Sequence, residues 1–442
     1  MHLDAKIESV IGCTQIVSKA AICRRYPANL GVVFCMRLTF NGAGTHGQIT
    51  SHEYVVHEKD RECRALVSIE PAVKIFLTGH AQDLQHVVTD LEVQRGLDAF
   101  TFGLPLLAAA MDSAVSPTTA VEVSRLCGLA VLNLEGLWTK YDDPLAVYDE
   151  ISSLPDDQAT RRMQELYAAP VDPDLITQRV REMKDAGIIT AASLTPQHVA
   201  AYVDHAKRGG LDILVVQGTV VSAEHVSTRS EPLDLFDFIR EVEMPVIVGG
   251  VASYSGALHL MRTGAIAVLV GVGPGAACTT RGVLGIGVPQ ATAIADAAGA
   301  RTRYLEETGR YVHVIADGGM RTGGDIAKAI AVGADAVMLG SPFAATAEAP
   351  GKGVHWGMAT FHPTLPRGSR VRVGTLGTIE ELLLGPAHEN DGKRNLFGAL
   401  RASMATTGYA NVKEFQKAEV MVAPALQTEG KQLQMSQGVG MG

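Results

Sequence analysis

Six cysteines are spread over 442 residues, and none falls in a CxxC pair or at the spacing of zinc ligands. That excludes a zinc finger, and it suits a reducing compartment, with the cytoplasm as the default location. No apolar run reaches membrane-spanning length without a charge or a turn residue, so the chain reads as soluble, with no membrane as partner. The start, "MHLDAKIES", puts acidic residues ahead of any apolar run and offers no small-residue cleavage site, against a secretory signal. Long basic stretches are also missing and the net charge is −9, which argues against nucleic acid as a partner.

What is there is a large apolar content, 47% of residues, enough to bury one big core or two ordinary ones. Residues 1 to 95 show no clear repeating order and are set apart as an unassigned N-terminal extension. From about residue 98 short apolar runs alternate with amphipathic segments. The runs are "LPLLAAAMDS" (104–113), "LAVLNLEG" (129–136), "IITAAS" (188–193) and "DILVVQG" (212–218), then "PVIVGG" (245–250), "AVLVGVG" (267–273), "VHVIADGG" (312–319) and "AVMLGS" (336–341). Helical patterns closed by glycine, such as "SPTTAVEVSRLCG" and "RTGGDIAKAIAVGA", separate most of them.

Eight buried strands with intervening helices predict an α/β protein with a parallel sheet, most economically closed as a (β/α)8 TIM barrel. An open doubly wound sheet is the alternative, although its GxGxxG fingerprint does not follow the first run. In a barrel the active site lies at the C-terminal ends of the strands. Those ends carry Asp112 and Ser113, Asn133 and Glu135, Gln217, Gly249 and Gly250, Cys278, Asp317 to Gly319, and Gly340 with Ser341. Glycine pairs after the last two strands suit an anion as well as a tight turn. Asp317 suits a helix N-cap or an acceptor for a ribose diol.

The loop after the sixth run, "GVGPGAACTTRGVLGIGVPQ" (271–290), sets a cysteine among glycines and prolines, which a merely structural thiol does not need. Together with "VIADGGMRTGGDIAKAIAVGADAVMLGS" it resembles the IMP dehydrogenase and GMP reductase family, over residues 98 to about 430. The resemblance implies that the Cys278 thiolate attacks C2 of a bound purine nucleoside monophosphate and that Thr280 helps move a proton. It implies substrate contacts from Met111, Asp317, Gly318, Gly319, Gly340, Ser341, Gly357 and Met358. Dinucleotide contacts are expected near Gln217, Gly249 and Gly250. Carbonyls of Gly273, Gly275 and Cys278 match a monovalent-cation site, usually potassium, and the family state is a homotetramer.

Departures from the family pattern shape the expected reaction. Ala110 replaces a proline, Gln217 stands at the end of a strand that commonly ends near an aspartate, and Arg367 stands where a glutamate is usual. The stretch 137–187 holds two helix-like segments in place of the inserted CBS modules, and 352–372 is a short flap without the Arg-Tyr pair that activates water. These absences favour GMP reductase, converting GMP and NADPH to IMP and ammonia. IMP dehydrogenase with NAD, or a catalytically weak nucleotide-binding paralogue, is the alternative. Residues 431–442 read as a flexible tail.

Overall fold

The computed structural model describes residues 74–78, 100–225, 233–357 and 370–423. The expectations for the rest of the N-terminal extension, for the tail 431–442, and for Met358 and Arg367 lie outside the described residues.

Eight strands are formed by Leu106–Ala108 (β1), Leu129–Asn133 (β2), Ala191–Leu194 (β3), Ile213–Gln217 (β4), Val246–Val251 (β5), Ala267–Val270 (β6), His313–Asp317 (β7) and Ala336–Leu339 (β8). Each pairs in parallel with the next and β8 returns to β1, closing the barrel. Every apolar run read from the sequence holds one strand. The first is the most trimmed: Pro105 has no N–H to give, and Met111 N–H already turns back to the Ala109 carbonyl.

The runs are apolar throughout because both faces of each strand are buried. In β4, Ile213 and Val215 join Leu107, Leu129, Val131, Ile247, Leu269, Ile315 and Met338 in a cluster filling the barrel. Leu214 and Val216 join the larger layer beneath the outer helices. Period-two alternation thus sorts apolar side chains between two apolar layers. The packed interior leaves a ligand only the mouth of the barrel.

Helix starts are fixed by capping. Ser116 and Thr119 form a capping box with Pro117 at the first helical position, and Thr322 with Asp325 forms another after β7. The β2–β3 connection holds three helices, Leu145–Ser153, Asp156–Tyr167 and Pro173–Asp185, one more than the two expected. The extra helix has Pro144 before it and no side-chain cap, so it lacks the usual start signal. Tyr148, Ile151, Met163, Leu166 and Tyr167 build a small core of their own against Val354 and Trp356.

Outside the barrel, Lys74–Thr78 pairs antiparallel with Glu419–Ala423. The sequence reading assigned no strand at either place. A short strand whose partner lies at the far end of the chain has no local turn signal to announce it. Among the described residues no helix is long and apolar enough to cross a membrane.

Candidate active site

A cavity of about 380 Å³ opens at the C-terminal ends of the strands. Cys278 and Thr280 line it, with Met111, Gln217, Gly273, Gly275 and Asp317. Gly318, Gly319, Gly340, Ser341 and Gly357 complete the set that the sequence pointed to and the structure brings together.

The cysteine loop follows β6 and is held from both sides. Gly271 sits where a Cβ would lie 2.1 Å from the Asp317 carbonyl, so only glycine lets β6 and β7 approach there. The Arg281 guanidinium spans the loop, donating to the carbonyl of Val272 at 3.2 Å and of Val288 at 2.5 Å. Gln290 donates to the carbonyls of Val270 and Asp317, tying the two strand ends together. Within this frame the Cys278 Sγ lies 3.2 Å from the Thr280 Oγ1, and Thr280 is buried at the start of a short helix, Thr280–Leu284. A thiol beside a buried hydroxyl at a cavity wall is an arrangement for covalent attack with a local proton carrier.

Asp317 ends β7 and faces the cavity. Burial pushes its carboxyl up to about 7, opposed only by a hydrogen bond from Gln217 Nε2 at 3.2 Å. Gln217 therefore reaches across the cavity floor from β4. Beyond Asp317, the backbone N–H groups of Gly319, Gly340 and Ser341 find no acceptor among the described residues. Unsatisfied donors converging on a cavity wall are what a phosphate monoester takes.

Two expected residues are not brought to the cavity. Gly249 and Gly250 are buried in β5, where Cβ atoms would fall 2.5 Å from Leu269 Cβ and 2.7 Å from the Gly271 carbonyl. Their lack of a Cβ allows the close approach of β5 and β6. In the proposed cation loop, the Gly275 carbonyl already accepts the Cys278 N–H at 3.0 Å. No group of three or more His, Cys, Asp or Glu is poised for a metal ion among the described residues.

A polar cluster on the wall built by β2 and β3 joins Glu135, read from the sequence only as a strand-end residue, to two residues with no expected role. The Glu135 carboxylate accepts from Thr195 N–H at 2.5 Å, from Thr195 Oγ1 at 3.1 Å, and from His198 Nδ1. The bond to Glu135 raises the His198 imidazole above its usual value. Glu135, Ser193, Thr195, Gln217 and Thr219 give this side of the cavity a donor and acceptor set that fits a carboxamide and a ribose diol. His355 was missed as well. It lines the cavity and is 2% exposed, its Nδ1 lies 2.8 Å from Ser113 Oγ, and burial alone pushes it down to about 4.

A filled parallel barrel whose strand-end cavity is lined by a loop-borne thiol and by glycine-rich loops has the layout of a barrel enzyme. The model of the IMP dehydrogenase / GMP reductase domain matches residues 76–361. An uncharacterized oxidoreductase of Mycolicibacterium smegmatis is 48% identical over 342 residues, 75% of this chain and 91% of that protein. An inosine-5'-monophosphate dehydrogenase of Haemophilus influenzae is 47% identical over 155 residues, 34% of this chain and 29% of that protein. A crystal structure of an IMP dehydrogenase/GMP reductase-like protein from Corynebacterium glutamicum superposes with a TM-score of 0.73 at 38% identity, over 86% of this chain and 96% of that one. The chain belongs to the IMP dehydrogenase / GMP reductase family of oxidoreductases.

Proposed function

We propose that the enzyme oxidises the purine ring of IMP at C2, giving XMP, through a covalent adduct on Cys278. The observation that carries the direction is the Glu135–His198 pair, whose carboxylate lines the cavity that Cys278 shares. The sequence favoured GMP reductase because it showed no group to activate water, and this pair supplies a candidate. The name of the Haemophilus influenzae relative supports the same direction.

In this reading the Cys278 sulfur adds to C2 while Asp317 accepts the ribose hydroxyls and the N–H groups of Gly319, Gly340 and Ser341 hold the phosphate. A nicotinamide dinucleotide, when bound along Glu135, Thr195 and Gln217, supplies the acceptor for the hydride that leaves C2. Once the dinucleotide has left, water adds to C2 of the thioimidate adduct, the Glu135 carboxylate takes its proton, and the C2–S bond breaks as the departing thiolate is reprotonated from solvent through the Thr280 hydroxyl. Such general-base help is worth about 10² to 10⁴ in rate. NAD as the dinucleotide, potassium at the Gly273–Gly275–Cys278 loop and a cytoplasmic homotetramer are parts of the same proposal.

A second reading, GMP reductase with NADPH, is favoured by the Cys278–Thr280 contact, which serves attack and protonation of departing ammonia without any activated water. The two are separated by following nicotinamide absorbance with each substrate pair in potassium and in sodium buffer. Sustained IMP-dependent NAD reduction is expected. Glu135→Gln is expected to keep the first-turnover burst and lose at least about 10²-fold in the steady state. GMP-dependent NADPH oxidation with only a burst from IMP would establish the reductase instead.

A further inference from the structure

We propose that Tyr167 is a positioning residue for the nucleotide site: its hydroxyl ties the loop after β1 to the segment carrying His355 and Gly357, so the helices between β2 and β3 help to shape the cavity. The proposal rests on the nucleotide reading above and gives those helices a part in it.

The hydroxyl donates to the Asp112 carboxylate at 2.5 Å and accepts the Trp356 indole N–H at 2.8 Å. Both partners are next to the cavity in the chain. Met111 precedes Asp112, while His355 and Gly357 flank Trp356, and all three of these neighbours line the cavity. Tyr167, Asp112 and Trp356 are themselves buried, and Trp356 packs with Tyr148, Ile151 and Met163 in the core of the insert. One oxygen atom thus joins two parts of the cavity wall from behind.

The chemistry of the two partners calls for a hydroxyl between them. A carboxylate accepts hydrogen bonds and an indole N–H donates them, and a phenol can serve both at once. Asp112 is seated by the Asn133 amide at 3.1 Å and by Leu137 N–H at 2.8 Å. A Cβ on Gly136 would lie 1.9 Å from its Oδ1, so glycine is required for the carboxylate to sit there.

The insert also grips the strand pair Val354–His355 and Val371–Arg372 from both sides. The Arg370 side chain, 2% exposed, donates to the carbonyls of Ile151 at 2.6 Å and Leu154 at 2.7 Å and to the Asp156 carboxylate. It therefore joins the end of the helix Leu145–Ser153 to the start of Asp156–Tyr167, with a cation where the last carbonyls of a helix favour one. Lys352, ahead of the first strand, pairs with Asp149. A wall ordered in this way before the nucleotide arrives loses less freedom on binding.

The test follows Cys278 alkylation at increasing IMP, with kcat and thermal melts alongside. In Tyr167→Phe the IMP concentration that half-protects Cys278 is expected to rise about 10-fold, as for loss of a hydrogen bond to a charged group. The alkylation rate without nucleotide and kcat should stay within about 2-fold, because uniform binding is what is lost. Adding Trp356→Phe, which removes the indole N–H left without that acceptor, should recover melting temperature and leave IMP binding weak. Ile151→Val disturbs the same core without touching either bond, and should lower the melting temperature with IMP binding unchanged. Unchanged protection in Tyr167→Phe, or weakening that tracks the loss of melting temperature across all three variants, would overturn the assignment. Failure of IMP and GMP to protect Cys278 in the unaltered enzyme would instead overturn the nucleotide reading.

Discussion

The Gln217 amide donates to the Asp317 carboxyl across the floor of the barrel, and it is the one side chain that opposes the desolvation of that group. Burial pushes the Asp317 carboxyl up to about 7, well above an ordinary aspartate. A folded-state value above the unfolded one means that stability is fully present at low pH and falls as pH rises from about 4 through 7. Asp317→Asn is therefore expected to stabilise the ligand-free protein at pH 8 by about 1–3 kcal/mol, with no gain at pH 4. The unaltered enzyme is expected to gain IMP affinity between pH 6 and 8 as the carboxyl ionises to accept the ribose hydroxyls, and the same variant should lose that gain. Thermal melts and binding across that range check both halves.

Cys278 is half-buried at the cavity and Cys127 is exposed on the surface. Brief alkylation followed by mass spectrometry should modify both thiols in the free enzyme. With saturating IMP Cys278 should be protected while Cys127 still reacts. Loss of activity should track the Cys278 adduct alone, and labelling of Cys278 that ignores the nucleotide would count against its role.

At the opposite end of the barrel, Asp335 accepts from Arg301 at 2.6 Å, from the Tyr311 hydroxyl at 2.7 Å, from Val314 N–H at 2.8 Å and from Lys413. Arg301 and Lys413 hold the carboxyl well below the usual range in spite of its burial. Its contribution is complete above about pH 4 and is lost as pH falls towards that depressed value. Asp335→Ala leaves a buried guanidinium without its partner and should cost about 3–5 kcal/mol at pH 7. The difference between variant and unaltered protein should shrink on acidification, as denaturant titrations at pH 7 and pH 3 would show.

All eight barrel strands lie downstream of residue 100, so a chain beginning near residue 91 should still fold. It would leave Glu419–Ala423 without its strand partner, and Met421 and Val422 are already partly exposed. A chain beginning at Ser68 keeps the pair. The shorter version should aggregate more readily on storage, because an unpaired apolar strand edge is open to other chains. Light scattering of the two versions at equal concentration is the comparison.

The barrel was legible because each of its strands is buried on both faces and reads as a continuous apolar run. Cys278 was legible for a different reason: a loop packed against Asp317 and bridged by Arg281 needs glycines and a fixed spacing, all within twenty residues of chain. Gly249 and Gly250 have a packing reason for being glycine that the sequence does not separate from a ligand contact, since the absence of a Cβ lets β5 and β6 approach. Glu135, Thr195 and His198 come from two separate strand ends, and Ser113 meets His355 from 242 residues away. No local spacing encodes such meetings. Only the closure of the barrel creates them.

The helices between β2 and β3 also bear on how the enzyme can be rebuilt. Tyr167, at the end of one of them, gives its hydroxyl proton to the fully buried Asp112 at 2.5 Å and receives the Trp356 indole N–H. Asp112 also accepts from Asn133 at 3.1 Å and from Leu137 N–H at 2.8 Å. A foreign module transplanted into this connection would strip a buried carboxylate of a donor and loosen the tryptophan next to His355. A graft that spares Asp156–Tyr167 avoids both injuries, so the tolerant seam for domain insertion is the exposed turn at Asp142 and Asp143, ahead of the first of the three helices.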